Sequence, residues 1–158
     1  MDRKDLANLI FPDAKDIIYY EEKYPRRNLE EGAQVVRIGP SPTGNVHIGT
    51  IYQALINRTL ASQTNGVFYA RIEDTDQKRE VDGGIKQIIE SVKLFDVAPD
   101  EYMINEEEWE GNYGPYKQSI RKEIYESYAK YLLERGKAYP CFASQEELDE
   151  MRAKQEAA

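Results

Sequence analysis

Apolar residues recur along this chain with two alternating periods. Val35, Val36 and Ile38 lie in QVVRIG (34–39), a short β-rich run. Beyond the polar stretch PSPTGNVHIG, Ile48, Ile51, Tyr52, Leu55, Ile56 and Leu60 recur at three- and four-residue spacings. That is the period of a helix with one buried face. Asn65-Gly66 breaks the helix and turns the chain. VFYARI (67–72) is a second β-rich run, and after EDTDQKRE a second helical pattern follows through Ile85, Ile88, Ile89, Val92 and Phe95. Strand–loop–helix–strand–loop–helix, with this crossover length, predicts an α/β fold built on parallel strands.

The flanks are less regular. Residues 1–33 form an N-terminal extension whose apolar positions are interrupted by Phe11-Pro12-Asp13 and which ends in the polar KYPRRNLEEG. It reads as one or two short helices packed on the body, or as a partly mobile arm. Residues 96–119 read as an insertion or long connection. Ile120, Ile124, Tyr128, Tyr131 and Leu132 predict a third helix stopped at Arg135-Gly136. YPCFA (139–143) has the composition of a brief strand, and Ser144 with Glu147 has the spacing of a capping box opening a last helix.

Composition narrows the class. Of the 158 residues, 41% are hydrophobic and 32% charged, the latter above the roughly 25% of an average domain. One cysteine excludes an intramolecular disulfide framework and a zinc site built on several cysteines. No apolar run approaches the ~18 residues that span a bilayer, and acids interrupt the N-terminus, so no membrane partner is expected and the cytoplasm is the expected compartment. The net charge of -8 argues against non-specific polyanion binding. Its distribution softens that conclusion: residues 96–119 hold seven acids and one base, and the rest is close to neutral. A docked RNA whose contacts lie elsewhere remains compatible.

The chemistry concentrates in RIGPSPTGNVHIGT, residues 37–50. In open parallel sheets ligands bind beyond the carboxyl ends of the strands, where helix N-termini favour anions. Pro40 and Pro42 stiffen the loop, Gly44 and Gly49 admit close backbone approach, and His47 stands at the helix entrance within reach of a phosphate. The loop is not a P-loop, since GxxxxGK[ST] is absent.

PSPTG-xx-HIGT followed by ARIEDTD resembles the N-terminal half of glutamyl-tRNA synthetases, class I enzymes whose signature is the HIGH motif. GPYKQS (114–119) and GKAYPCF extend the likeness, which runs from about Val35 to the chain end. The resemblance implies the first half of a Rossmann-like nucleotide-binding fold at 34–119 and the start of an α/β connective, acceptor-stem domain at 120–158. It implies ATP-dependent activation of L-glutamate and transfer to the 3′ end of tRNA(Glu), with Mg2+ accompanying ATP. His47, Gly49 and Thr50 are then the catalytic signature, with Thr50 where the motif has a second histidine. Thr43, Gly44, His47 and Gly49 are implied in ATP binding. Arg37, Ser41 and Glu73 are implied in glutamate binding, Glu73 as acceptor of the α-ammonium.

Ordinary explanations stand beside these. Arg37 could be a strand-end surface cation and Ser41 a turn cap. Asp74 and Asp76 read as solvated turn residues or helix caps, and Glu106, Glu107 and Glu108 as a solvated loop. Tyr125, Tyr128 and Tyr131 read as one packed helix face. Some relatives hold zinc with a Cys-x-Cys pair, but here the pattern is Cys141-Phe142-Ala143, so no zinc is expected.

The second class I signature, KMSKS, does not occur. The chain therefore reads as an N-terminal fragment, inactive alone, of an enzyme that is monomeric at full length. Apolar faces left uncovered would make the fragment self-associate. A paralogue glutamylating a modified tRNA nucleoside and a non-catalytic nucleotide-binding module are the alternatives.

Overall fold

A computed structural model describes residues 2–76 and 78–157. Contacts divide the chain into two units, Lys15–Tyr125 and a smaller one made of Met1–Ala14 with Glu126–Ala158.

In the larger unit, β1 (Val35–Ile38), α3 (Ile48–Gln63) and β2 (Val67–Ala70) form the expected βαβ element, preceded by α2 (Ile17–Lys23). The strands pair in parallel, with Val35 opposite Val67 and Ile38 opposite Ala70. Alternation decides the faces: Ile38, Phe68 and Ala70 are buried, whereas Val35 and Arg37 are exposed. The buried face packs on α3 through Ile51, Ala54 and Ala61, with Val92 of α4 (Gly84–Leu94) in the same core. Fully buried Ala54 brings the helix backbone close to the sheet. A second core around Ile72, Ile85, Ile88, Ile89 and Met103 adjoins it.

The turn after α3 is built by three side-chain choices. Thr64 Oγ1 accepts from Gln34 N–H at 3.0 Å, tying the helix end to the start of β1. Asn65 takes φ 49°, a conformation asparagine tolerates better than most residues. Gly66 lies against the Gln34 backbone, where any Cβ would collide.

The stretch 96–119, expected as an insertion or long connection, carries strand pairing of its own. Glu101 bridges Tyr69 in parallel and Lys117 bridges Ile72 in parallel, so β2 is flanked on both sides. Between these bridges β3 (Tyr102–Met103) and β4 (Trp109–Glu110) make an antiparallel hairpin. Glu106, Glu107 and Glu108 are exposed in its loop, as expected. Asp74 is a correction. Instead of a solvated turn it is 3% exposed, accepting from Ser119 N–H at 2.9 Å and from Ser119 Oγ at 2.5 Å. It thereby fastens the segment after β2 to a 3₁₀ turn at Ser119–Arg121.

The smaller unit contains α1 (Arg3–Ile10), the greater part of α5 (Lys122–Glu134) and α6 (Gln145–Glu156). Asp2 caps α1 through Asp5 N–H. Gly136, at φ 66°, ends α5 where Arg135-Gly136 predicted a stop, and Arg3 lies against its Cα where a Cβ would collide. Ser144 and Glu147 form the reciprocal capping box of α6. Residues 139–143 form no strand, and Tyr139 and Phe142 are 84% and 88% exposed. Tyr125 and Tyr128 are likewise exposed, because Ser127 and Leu133 form the buried side of α5.

Candidate active site

The loop between β1 and α3 and the segment after β2 leave the carboxyl end of the sheet side by side. Arg71 N–H bonds to Ile38 O at 3.1 Å and Glu73 N–H to Pro40 O at 2.9 Å, prolonging the parallel pairing past the strands. A cavity of about 430 Å³ opens on the loop, lined by Ser41, Thr43, Gly44, His47 and Thr50. Asn45 and Gln53, not singled out from sequence, also line it. Gln53 lies one helical turn beyond Gly49, a spacing that could have found it.

His47 is the N-cap of α3, and its Nδ1 accepts from Gly49 N–H at 3.1 Å. One ring nitrogen is thereby used as an acceptor, so the neutral imidazole carries its proton on Nε2. The ring is held by the helix it caps and lines the cavity. Gly49 permits this: a Cβ there would stand 2.9 Å from His47 Cε1 and Nδ1. Its N–H is consumed by the imidazole, so one of the amide donors expected to meet an anion is already paired. Gly44 is different. A Cβ there meets nothing within 4 Å, so no protein contact demands glycine.

Arg37, Glu73 and Gly49 do not line the cavity. Arg37 Nη1 donates to Glu73 Oε1 at 2.5 Å, and Arg71 Nη2 approaches the same oxygen at 3.5 Å. Both side chains of the closer pair remain about one-third exposed. Gly39 joins this pair to the cavity: it lines the cavity, and a Cβ on it would meet Glu73 Oε1 at 2.5 Å. Arg71 was missed from sequence, although it lies two residues before Glu73 and therefore on the same strand face.

A second set of contacts stands behind Glu73. Glu101 accepts from Arg27 Nη1 and Nη2 at 2.6 and 2.5 Å and from Tyr116 Oη at 2.5 Å. Burial raises the Glu101 pKa, but these bonds outweigh it and hold the carboxyl below the usual carboxylate range. Burial and the bond to Glu101 push the Tyr116 phenol far above its ordinary value. Tyr24 Oη donates to Gly114 O and Tyr113 Oη to Pro25 O, so residues 24–27 clamp the loop at 113–116. That loop leads directly to Lys117 and to Ser119, the partner of Asp74.

Residues 34–158 match the family described as tRNA synthetases class I (E and Q), catalytic domain. A glutamate–tRNA ligase of Acetivibrio thermocellus is 52% identical over 158 residues, 98% of this chain and 29% of the relative. One from Clostridium perfringens is 53% identical over 156 residues, again 98% and 29%. Among solved structures, a glutamate tRNA ligase from Elizabethkingia meningosepticum, in complex with its amino acid, aligns with TM-score 0.66 at 38% identity, over 79% of this chain and 24% of that one. The chain thus spans less than a third of the length of the curated relatives it matches. With the match covering both loops of the site, the chain belongs to the class I tRNA synthetases of the E and Q type.

Proposed function

We propose that this chain supplies the amino-terminal part of a glutamate–tRNA ligase, which activates L-glutamate with ATP and transfers it to tRNA(Glu). The observation carrying this reading is the juxtaposition at Gly39 of an α3-capping histidine loop with the Arg37–Glu73 pair. The relatives bearing that name support the choice of amino acid. In this reading residues 34–119 are the first half of the Rossmann-like domain, 120–158 begin the acceptor-stem domain, and 1–33 are an extension.

The roles follow from charge. Attack of the glutamate carboxylate on the ATP α-phosphorus builds negative charge on phosphoryl oxygens and expels pyrophosphate. His47, Gly49 and Thr50 form the catalytic signature, and the His47 Nε2–H donor, fixed by the cap, stabilises that charge more than it stabilises bound ATP. Thr43 and Gly44 approach the nucleotide, and open space above Gly44 leaves room for it. Glu73 exchanges its Arg37 contact for the substrate ammonium, freeing a guanidinium to grip a carboxylate, with Ser41 nearby. Mg2+ would accompany ATP and offset phosphate charge, and it would need no dedicated protein cage. No zinc enters this reading: four ligands are needed, and the single cysteine, Cys141, is exposed. Among the described residues no helix is long and apolar enough to cross a membrane, and we place the protein in the cytoplasm.

The test is glutamate-dependent ATP–pyrophosphate exchange in the presence of tRNA, using the chain extended to the length of its relatives. His47→Ala should lower exchange by about 10²-fold. Equal exchange with His47→Ala, or exchange with no amino-acid preference, would sink the reading. The 158-residue chain alone should not catalyse exchange. The exposed row Ile48, Tyr52, Leu55, Ile56 and Leu60 along α3 supports self-association of this chain, whereas the extended enzyme is expected to be monomeric. A concentration-independent monomer in light scattering would refute the first statement.

A further inference from the structure

A second cavity, of about 240 Å³, lies in the larger unit away from the histidine loop. It is lined by Arg27, Arg71 and Arg121 with Tyr69, Tyr113, Tyr116 and Val35. In a chain of net charge -8, none of its described lining residues is acidic. The three guanidinium groups come from separate segments: the N-terminal stretch, the end of β2 and the 3₁₀ turn. Two of them are firmly held. Arg27 is fixed by Glu101 and lies 3.8 Å over the Tyr113 ring. Arg121 Nη1 donates to Tyr113 O at 3.2 Å and to Pro115 O at 2.8 Å.

Their charge is incompletely matched. Arg27 is neutralised by Glu101. Among the described residues Arg71 pairs with Glu73 alone, at 3.5 Å, through the Oε1 that is already closer to Arg37. Arg121 makes no ion pair among the described residues, its bonds going to uncharged carbonyls. In addition, the Nε–H groups of Arg71 and Arg121 are buried and have no acceptor among the described residues. Buried donors normally find partners, and here two orphans belong to residues lining one cavity.

We propose that this cavity is a binding site for a tetrahedral oxyanion, inorganic phosphate or a phosphomonoester group. Three arginines from separate segments lining one cavity suit phosphate oxygens disposed in three dimensions, whereas one arginine fork already satisfies a planar carboxylate. The site has no platform for a nucleobase on Tyr113: Arg27 covers the ring and Tyr24 packs against it. The ligand is therefore the phosphoryl group itself. The proposal does not depend on the ligase reading, since it concerns other side chains and a measurement without turnover.

The experiment titrates inorganic phosphate into the whole chain while nitrogen-15 signals of the arginine side chains are recorded. Saturable shifts of the Arg71 and Arg121 Nε–H signals are expected. Sulfate should compete, and chloride at equal ionic strength should not. Arg121→Met should weaken phosphate binding by about tenfold, the loss of one charged hydrogen bond, and His47→Ala should leave these shifts unchanged. The wild-type titration stands even if Arg121→Met fails to fold. Nε–H signals that stay in place would overturn the proposal. So would displacement of phosphate by glutarate, or binding abolished by His47→Ala.

Discussion

The pairs Arg27–Glu101 and Arg37–Glu73 have the same side chains and the same closest approach, 2.5 Å. Their surroundings separate them. Glu101 spends both oxygens on Arg27 and one again on Tyr116, and its side chain is 11% exposed. Glu73 offers Oε1 to Arg37 and Arg71, while no donor among the described residues bonds to Oε2, and its side chain is 35% exposed. The first pair is saturated and largely buried, so it holds backbone segments together. The second is open and under-coordinated, so an incoming ammonium or carboxylate can replace either partner. Residue identity and distance do not tell a structural ion pair from a substrate-ready one. Burial and unused hydrogen-bonding capacity do.

The sharpest way to break this contrast is Arg27→Met. Removing one member of a largely buried pair leaves Glu101 uncompensated and should cost about 3–5 kcal/mol in urea unfolding. A loss no larger than that of an exposed pair would erase the distinction. Asp74→Ala tests the connection between the two pairs. Ser119 N–H and Oγ would lose their acceptor, at a cost of about 1–3 kcal/mol, and a loss near zero would disconnect the Ser119 turn from the Glu73 segment.

Acid probes the same contrast without mutation. The folded Glu101 carboxyl lies below its ordinary range, as does Asp100, where burial is outweighed by bonds from Arg58 and Phe68 N–H. A depressed folded pKa gives stability that is complete above the unfolded value, about 4.3 for glutamate, and is lost as pH falls through the folded value. Unfolding midpoints should therefore drop below about pH 4, and Glu101→Gln should flatten that slope. An unchanged slope would remove Glu101 from the account. The smallest stability effect belongs to Arg37→Met, at most about 1 kcal/mol for an exposed pair. The same variant should weaken glutamate binding by about tenfold or more in the extended enzyme. Stability loss without loss of binding would reverse the assignment of the two pairs.

Much of the βαβ element was legible because its apolar positions repeat over a whole helix and two strands facing one core. The caps at Ser144 and Gly136 were legible because each rests on a local contact or a positive φ. The stretch 96–119 was not, because Glu101 pairs with β2 and Lys117 with Ile72 beyond it through single bridges too short to leave an alternating pattern. Asp74 escaped for another reason. A carboxylate beside a strand end has the same sequence whether it meets water or Ser119. At the site, motif residues on the loop line the cavity, but Arg27 and Glu101 depend on contacts up to 74 positions apart. Composition near each residue carries no trace of them.

The division into two units also equips the molecule for spectroscopy. The chain has one tryptophan and one cysteine. Trp109 sits in the hairpin of the larger unit, and the exposed thiol of Cys141 sits in the smaller. A maleimide dye on Cys141 would accept energy from Trp109 with no engineered residue. Transfer efficiency would then report, in a cuvette, whether glutamate, ATP or phosphate changes the separation of the two units.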